Sequence, residues 1–392
     1  MSKKVALYWH NGRSLGHTSR SATIGEAVLS LMPGCSVIGI TGASKGFELI
    51  PPGMDILKIP SYLAFDEEGS IRTSPVLNIP KGDLRNMRRN LITTFIQDFG
   101  PNALIVDYYP LGKNNELLPA IVNSPETKKI LGLRGVLNSA TETNEEFFNS
   151  QMIDFIQEHF SAILAYIDPQ VFCLENYYQI PNTLLDMMSY TGYVTRSSAV
   201  KSITKQDARV AVGIDNNARV IVISFGGGQG TEPIWQALIN GLLQISERFD
   251  FAYLSVGPYL ETEAYERIRN QTVPYQHWVW TRLIENLPIW MKASDLFIGA
   301  GGYNSLAEII ATNCNALIIP RQLNELEQQL HSECLAQLNI LRTTSSQDIT
   351  QNKILTHLLE KCLDEPYPNS HLQLASDGAQ QTASIIQTIV RG

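Results

Sequence analysis

Residues 226–230 hold four glycines in a stretch of five, and this is the part of the sequence best suited to chemistry. An apolar, β-branched run at residues 220–223 precedes them and predicts a buried strand. Thr231, an N-cap residue type, and Pro233, which suits a first helical turn, follow them. A strand, a glycine turn and a helix would collect backbone N–H groups at one point, which is a seat for phosphate. A tight turn without a ligand is the alternative, but one glycine would serve it and four cost chain entropy.

Residues 299–302 form a second glycine-rich cluster, again between an apolar run and a helical pattern. Glu308 lies about one turn into the predicted helix, where its carboxylate can accept hydrogen bonds from both hydroxyls of a ribose. The alternative for Glu308 is a first-turn acid that stabilises the helix dipole. Two glycine-rich helix N-termini in one half of the chain favour a phosphate-binding role for that half.

Residues 320–329 form a third cluster, in which polar side chains that include Glu327 and Gln328 begin another predicted helix. Amide and carboxylate groups at this position are suited to reading sugar hydroxyls. A solvated helix face is the alternative, and the sequence by itself supports the two interpretations almost equally.

His17 follows Gly16 at a turn beyond the carboxyl end of the first predicted strand. Open α/β sheets bind ligands at that edge, so His17 is a candidate general base, although most single histidines are structural. Asp107 and Arg134 end other strands in the same half, and we expect them to face the same space. Asp107 could instead cap a turn, and Arg134 could pair with an acid.

Strands and helices alternate through both halves of the chain, which predicts parallel sheets covered on both faces. We predict strands at residues 5–9, 37–40, 55–59, 103–107, 129–134, 162–166, 220–223, 251–255, 275–279, 296–298 and 316–320. We predict helices at residues 18–31, 83–98 and 378–390. The polar segment 61–82 has no clear period and is expected to be a long functional loop.

The composition bounds the class of protein. A chain of 392 residues is long enough for two domains, and a net charge of −8 argues against nucleic acid as the main partner. No apolar run approaches the ~20 residues of a membrane-spanning helix, and the N-terminus is predicted to be a first strand and not a signal peptide. The 5 cysteines are scattered without C-x-x-C spacing, so neither a zinc site nor a disulfide framework is indicated and a reducing cytoplasm is expected.

A basic set, Lys81, Arg85, Arg88 and Arg89, spans roughly two turns of a predicted helix. Such a set is typical of a solvated face. An anionic acceptor or a membrane surface is the weaker alternative, because the chain is acidic overall.

Taken together, the clusters resemble GT-B glycosyltransferases of the MurG-like family 28 group, and the resemblance spans most of the chain. Residues 225–230 are similar to the family's G-G-S-Q-G loop, with Gly228 in place of the serine. Residues 302–308 are similar to its G-x-x-[ST]-x-x-E motif, and residues 320–329 to its donor-sugar motif. Residues 192–196 resemble the G-N-P-V-R segment at the family's interdomain hinge.

An uncharacterised branch of predicted glycosyltransferases is more similar still. It shares the L-G-H-x-x-R start at residues 15–20, V-D-x-x-P-L-G at residues 106–112 and G-L-R at residues 132–134. The chain departs from the family at residues 313–315, where Asn-Cys-Asn replaces the usual Gly-x-Pro. It also has Ala300 where plant- and macrolide-type relatives carry a histidine. The donor side is therefore the better supported part of the resemblance.

The resemblance implies a role for each of these residues. The donor diphosphate would be bound by Gly226, Gly227, Gly228, Gln229, Gly230, Gly302, Ser305 and Arg196. The donor ribose would be bound by Glu308, and the donor sugar by Glu327 and Gln328. Catalysis would fall to His17 or Asp107, and the acceptor side would include Gly16, Arg20 and Arg134.

The fold implied by the resemblance is GT-B, an α/β architecture of two Rossmann-like domains whose parallel sheets face each other across a cleft. Residues 1–196 would form the acceptor-side domain and residues 197–377 the nucleotide-sugar domain, with a helix at 378–392 packed back onto the first domain. The implied reaction is inverting and metal-independent. It moves a hexosyl or N-acetylhexosaminyl group from a nucleotide diphosphate sugar, which is expected to be UDP-linked. The sequence does not identify the acceptor. No cofactor, metal or nucleic acid is expected, peripheral membrane contact is allowed, and the chain would be a monomer or dimer.

Three other functions are compatible with these motifs. G-x-x-x-G-H-x-x-R at residues 12–20 resembles a segment of UDP-sugar hydrolases of the same fold, in which the histidine activates water. A GT-B nucleotide-sugar 2-epimerase is less favoured, because no matching set of acids is evident. A nucleotide-sugar-binding protein without turnover would be expected to lack a base, whereas His17 and Asp107 are both present.

Overall fold

The computed structural model describes residues 2–10, 15–43, 46–63, 72–73, 77–196, 200–228, 230–258, 260–321, 326–350, 352–367 and 372–391. The chain divides into two compact units. Unit 1 is Met1–Val194 together with Ala375–Gly392, and unit 2 is Thr195–Leu374. The sequence analysis placed the two boundaries after residues 196 and 377, because the sequence pattern does not show to which unit each connecting segment belongs.

Unit 1 is built on a parallel sheet. Its strands are β1 Lys4–Trp9, β2 Ser36–Thr41, β3 Met54–Lys58, β6 Ala103–Asp107, β7 Lys128–Leu133, β8 Phe160–Ala165 and β9 Met188–Tyr190, beside a separate antiparallel pair of β4 Tyr62–Leu63 and β5 Arg72–Thr73. The sheet order is β3-β2-β1-β6-β7-β8-β9, and every neighbouring pair is parallel. Because β1 and β6 are neighbours, the residues that follow them meet at one edge of the sheet.

Helices cover this sheet. They are α1 Gly16–Leu31, α2 Lys81–Phe99, α3 Leu118–Val122, α4 Ala140–Phe147, α5 Ser150–His159, α6 Leu174–Tyr177 and α7 Asn182–Leu185. All five residues of β6 are buried, as expected of a strand with both faces covered. The bounds of β6 are those predicted from its apolar run and terminal acid.

The C-terminal helix, Gly378–Arg391, belongs to unit 1 and packs against α1. Two backbone hydrogen bonds join the start of this helix to the end of the first segment of unit 1. Tyr193 N–H donates to Ala375 O at 2.8 Å, and Gly378 N–H donates to Tyr193 O at 3.0 Å. A Cβ at Gly378 would lie 2.3 Å from the carbonyl oxygen of Gly192, so this close approach requires glycine.

Unit 2 contains a second parallel sheet. Its strands are β10 Val220–Ser224, β11 Phe251–Ser255, β12 Trp278–Thr281, β13 Leu296–Gly299, β14 Ala316–Ile318 and β15 Arg342–Thr343. The order is β12-β11-β10-β13-β14-β15, again parallel throughout. The helices are α8 Lys205–Val212, α9 Glu232–Gln244, α10 Thr262–Asn270, α11 Leu287–Ala293, α12 Tyr303–Thr312, α13 Leu326–Gln337 and α14 Asn352–Asp364, and the helix at Gly378–Arg391 is α15. The predicted α/β class, with two parallel-sheet, Rossmann-like units, is confirmed.

One local prediction in unit 2 is wrong, and a second holds only in part. The strand predicted at residues 275–279 begins at Trp278, because Trp278 N–H donates to Tyr275 O at 3.0 Å and closes a turn there. Thr231 occupies the N-cap position of α9 as predicted, but its hydroxyl donates to Gly228 O at 2.8 Å and makes no cap hydrogen bond to the helix. The threonine therefore closes the glycine turn, while Pro233 lies in the first helical turn as predicted.

The basic set on α2 is not one solvated face. Lys81 and Arg85 are exposed, but the side chain of Arg88 is only 1% exposed and pairs with Glu116, which is fully buried. Arg88 Nε donates to Glu116 Oε2 at 2.6 Å, and the Tyr8 hydroxyl donates to Glu116 Oε1 at 2.6 Å. The ion pair thus joins α2 to the chain segment that lies beside β1.

Candidate active site

His17, Arg20 and Asp107 form a cluster at the carboxyl edge of the sheet in unit 1, in which Arg20 and Asp107 are buried and His17 is half-buried. His17 lies in the first turn of α1, and Asp107 is the last residue of β6. His17 Nδ1 is 2.6 Å from Asp107 Oδ2. Arg20 Nε and a terminal nitrogen of Arg20 donate to Asp107 Oδ1 at 3.0 and 2.8 Å. The carboxylate therefore fixes both the imidazole and the guanidinium.

The charges of this cluster set its protonation. Burial alone would raise the pKa of Asp107, but the positive charge of Arg20, together with His17 and the hydrogen bonds, holds it at about 2. Burial lowers the pKa of His17 against the opposing effect of Asp107. Near neutral pH the aspartate is therefore ionised and the histidine is neutral. The Nδ1–H of His17 then donates to Asp107, which leaves the Nε2 lone pair as a base.

Arg134 lies immediately after β7 at the same edge of the sheet. Its guanidinium carbon is 4.8 Å from the centroid of the Tyr108 ring, and a terminal nitrogen donates to Leu137 O at 3.1 Å. Tyr108 has a φ of 80°, a left-handed conformation that is rare for an aromatic residue and is found at functional sites. Gly16 begins α1 directly before His17, whereas the rest of the loop before it, residues 11–14, lies outside the described residues.

Several aromatic residues next to His17 were not assigned to the site from the sequence. The His10 ring centroid is 4.9 Å from that of His17 and 5.2 Å from that of Tyr109. Tyr109 in turn stacks on Phe147 at 5.9 Å. His10 directly follows β1, just as Asp107 ends β6. Its position at the end of a strand could therefore have indicated His10 as a site residue. Tyr108 and Tyr109 directly follow Asp107, whereas Phe147 is brought in by α4 and has no such signal.

Both glycine turns of unit 2 lie at one edge of its sheet, because β10 and β13 pair in register with Ser224 opposite Gly299. A Cβ at Gly226 or at Gly302 would have no heavy atom within 4 Å among the described residues, so both positions face open space. Neither α9 nor α12 receives a side-chain N-cap hydrogen bond in the described part of the chain. An anion at either turn would lie at the positive end of a helix dipole.

Gly228 is packed closely where Gly226 is open. Its φ is 82°, its N–H donates to Phe225 O at 3.3 Å, and a Cβ would lie 1.9 Å from the carbonyl oxygen of Val256. The serine expected from the resemblance therefore does not fit this backbone, which explains the glycine. Gly227 is buried, Gly230 is exposed with a φ of 69°, and Gln229 lies outside the described residues.

Glu308 is placed in α12, where 8% of its surface is exposed. The Thr195 hydroxyl donates to Oε2 at 2.8 Å, and the Arg196 N–H donates to Oε1 at 3.1 Å. Burial raises the pKa of Glu308 to about 7 against the opposing effect of these hydrogen bonds. The structure thus brings together two residues that the resemblance placed on the donor, Glu308 and Arg196, whereas Ser305 lies one turn earlier and is half-buried.

Glu327 and Gln328 lie in the first turn of α13, and both are buried. Gln328 Oε1 accepts a hydrogen bond from Arg321 N–H at 3.4 Å. His331 follows one turn later with no exposed surface, and it was not singled out from the sequence. Residues 322–325 of the predicted donor-sugar segment lie outside the described residues.

Within the described ranges, no group of three or more His, Cys, Asp or Glu side chains is suited to a metal ion. Nor is any helix in that part of the chain both long and apolar enough to cross a membrane. The expectation of a metal-independent reaction stays a prediction.

Comparison with known proteins connects these features to a family. Residues 220–389 match the model of the glycosyltransferase family 28 C-terminal domain. A UDP-N-acetylglucosamine--N-acetylmuramyl-(pentapeptide) pyrophosphoryl-undecaprenol N-acetylglucosamine transferase from Desulfitobacterium hafniense is 24% identical over 195 residues, which cover 49% of this chain and 52% of that protein. The chain spans about half the length of the curated relatives it matches.

Two solved structures share the fold along the whole chain. Acinetobacter baumannii MurG aligns with a TM-score of 0.58 at 15% identity, over 99% of this chain and 98% of that one. The UDP-GlcNAc 2-epimerase from Neisseria meningitidis, bound to UDP-GlcNAc, aligns with a TM-score of 0.62 at 14% identity, over 99% and 100%.

Two parallel-sheet, Rossmann-like units with these structural neighbours define a GT-B protein. Within that class, residues 220–389 match the C-terminal domain of glycosyltransferase family 28, and the chain is similar to MurG-like proteins. The resemblance predicted from the glycine turns and the G-x-x-[ST]-x-x-E motif is confirmed.

Proposed function

We propose that the protein transfers N-acetylglucosamine from UDP-N-acetylglucosamine to an acceptor hydroxyl, with inversion and without a metal ion. The contact between His17 Nδ1 and Asp107 Oδ2 at 2.6 Å carries the proposal, because it holds the proton of a neutral imidazole on Nδ1 and leaves the lone pair on Nε2. The donor is that of the relative from Desulfitobacterium hafniense, whose name also supplies a lipid-linked acceptor as the first candidate.

Proton transfer comes from the cluster in unit 1. His17 Nε2 takes the proton of the acceptor hydroxyl, and the ionised Asp107 stabilises the imidazolium that forms. The acceptor oxygen forms a bond to the anomeric carbon as the bond from that carbon to the β-phosphate oxygen breaks. Attack opposite the leaving group inverts the anomeric configuration, and the electron pair of the broken bond leaves with UDP.

Besides proton transfer, the reaction requires a binding site for the leaving UDP, which the glycine turns of unit 2 supply. Gly226 and Gly302 face open space before α9 and α12. The positive ends of these helix dipoles stabilise the developing negative charge of UDP, the task that a metal ion has in other enzymes. Glu308 would hold the ribose, and Glu327 and Gln328 the sugar.

The test is incubation with UDP-N-acetylglucosamine, with and without N-acetylmuramyl-(pentapeptide) pyrophosphoryl-undecaprenol, in the presence of a chelator. We expect acceptor-dependent release of UDP and a product with inverted anomeric configuration by NMR. His17→Ala should lower kcat about 10²- to 10⁴-fold. His159→Ala, a partly exposed histidine at the end of α5, is the matched control and should keep full activity.

Other products would identify other reactions. Stoichiometric release of free N-acetylglucosamine without acceptor would make the protein a hydrolase in which His17 activates water. Conversion to the 2-epimer would make it an epimerase, the reaction named for the Neisseria meningitidis structure that shares the fold. Binding of the nucleotide sugar without turnover would leave a binding protein.

A further inference from the structure

Glu308 already holds two hydrogen-bond donors from its own chain. Oε2 accepts from the Thr195 hydroxyl at 2.8 Å, and Oε1 accepts from the Arg196 N–H at 3.1 Å. These are one donor for each carboxylate oxygen. A ribose offers the same pattern, because its two neighbouring hydroxyls donate to the two oxygens of one carboxylate.

Burial leaves a ribose little room beside these donors. Glu308 is 8% exposed and Thr195 is 6% exposed, so the hydrogen bond between them is buried. Contact between the carboxylate and another molecule therefore requires the segment to move. The two donors are the first residues of unit 2, where the chain enters it from unit 1.

We infer that Thr195 and Arg196 are an autoinhibitory contact, which occupies Glu308 in place of the donor ribose and is released when a nucleotide binds. The inference rests on the proposed function, since it takes Glu308 to be the ribose-binding residue. Nucleotide binding exchanges one hydroxyl and one N–H of the protein for two hydroxyls of the ribose. The hydrogen bonds on Glu308 are conserved in number, and the segment at residues 195–196 is set free.

The first test compares UDP binding to the wild type and to Thr195→Val by calorimetry. Valine keeps the shape of threonine and removes the competing hydroxyl, so we expect UDP to bind about tenfold more tightly. Thr191→Val is the matched control, because Thr191 is also buried and its hydroxyl donates to Ala165 O in unit 1. It should bind UDP as the wild type does.

Inorganic pyrophosphate separates competition at Glu308 from a general effect of the substitution. Pyrophosphate has no ribose, so Thr195→Val should leave its affinity unchanged while raising that of UDP. An equal gain for both ligands, or no gain for UDP, would overturn the inference. Binding of UDP with equal affinity by both proteins leaves the proposed function intact, whereas absence of UDP binding in both overturns the two together.

A second measurement needs no variant. The Arg196 N–H is a hydrogen-bond donor to Glu308, so its exchange with solvent deuterium reports directly on the contact. We expect exchange in the wild type to become faster at saturating UDP. Unchanged or slower exchange of this amide would show that the contact survives nucleotide binding, and the inference would then be wrong.

Discussion

Asp107 Oδ2 lies 2.6 Å from His17 Nδ1, although 90 residues separate the two in the chain. The pairing of β1 with β6 makes this contact possible, because α1 follows β1 and Asp107 ends β6. The same carboxylate accepts from Arg20, so one buried acid orients the His17 imidazole and stays ionised itself.

Replacing that acid should change both the rate and its pH dependence. We expect Asp107→Asn to lower kcat about 10²- to 10⁴-fold, because the imidazolium loses its stabilising charge. Asp107 raises the pKa of His17, so the variant should keep a neutral histidine at lower pH than the wild type does. The acid limb of the kcat/KM profile should therefore move to lower pH. A profile that keeps its acid limb in place would remove His17 from the role of base.

Glu308 should make the wild type less stable as pH rises. Its pKa is raised from 4.5 to about 7, so the folded state binds the proton more tightly than the unfolded state does. The free energy of unfolding should then fall by about 3 kcal/mol between these two pH values. Glu308→Gln has no charge to bury, so denaturant unfolding should show it to be more stable than the wild type near pH 8. Glu158→Gln, at a residue whose side chain is 76% exposed, is the control and should follow the wild type.

Two glycines of the same turn should respond differently to serine. Gly228→Ser places a Cβ against the carbonyl oxygen of Val256 at a positive φ, so we expect a loss of several kcal/mol in the free energy of unfolding. At Gly226 a Cβ has no close neighbour, so Gly226→Ser is disfavoured only by the positive φ. We expect a loss of about 1–2 kcal/mol in the free energy of unfolding. Chemical denaturation of both variants checks this difference. Equal losses would mean that the turn relaxes around the new side chain.

The ion pair on α2 should be costly to break and much less costly to replace. Arg88→Met leaves the carboxylate of Glu116 buried without its guanidinium, and we expect a loss of about 3–5 kcal/mol in the free energy of unfolding. The double variant with Glu116→Met should be more stable than the single one. Arg85→Met, at an exposed position on the same helix, should change stability by no more than about 0.5 kcal/mol. A double variant less stable than Arg88→Met would contradict this account.

The sequence predicts those parts of the fold that depend on neighbouring residues. The bounds of β6 and β11 match the predicted strands, and both glycine turns follow strands and begin helices as expected. Local pattern suffices here, because a buried parallel strand is an apolar run and a helix N-terminus after it needs glycine or a capping residue.

The remaining features depend on contacts between distant residues. Arg88 and Glu116 are 28 residues apart, and Thr195 and Glu308 are 113 apart, so no local period reveals either pair. The contact of His10 with His17 is between rings whose positions the sequence pattern does not give. The turn at Tyr275 was predicted as strand because its aromatic and β-branched neighbours favour strands.

The packing of α15 on α1 has a consequence for the order in which the protein is made. The helix that carries His17 leaves the ribosome before unit 2, but its partner at Gly378–Arg391 leaves after all of unit 2. Unit 2 is continuous in sequence and can fold during synthesis, whereas unit 1 waits for a segment made after it. Until then the face of α1 that receives α15 is uncovered, so a nascent chain would carry a finished unit 2 before a finished unit 1.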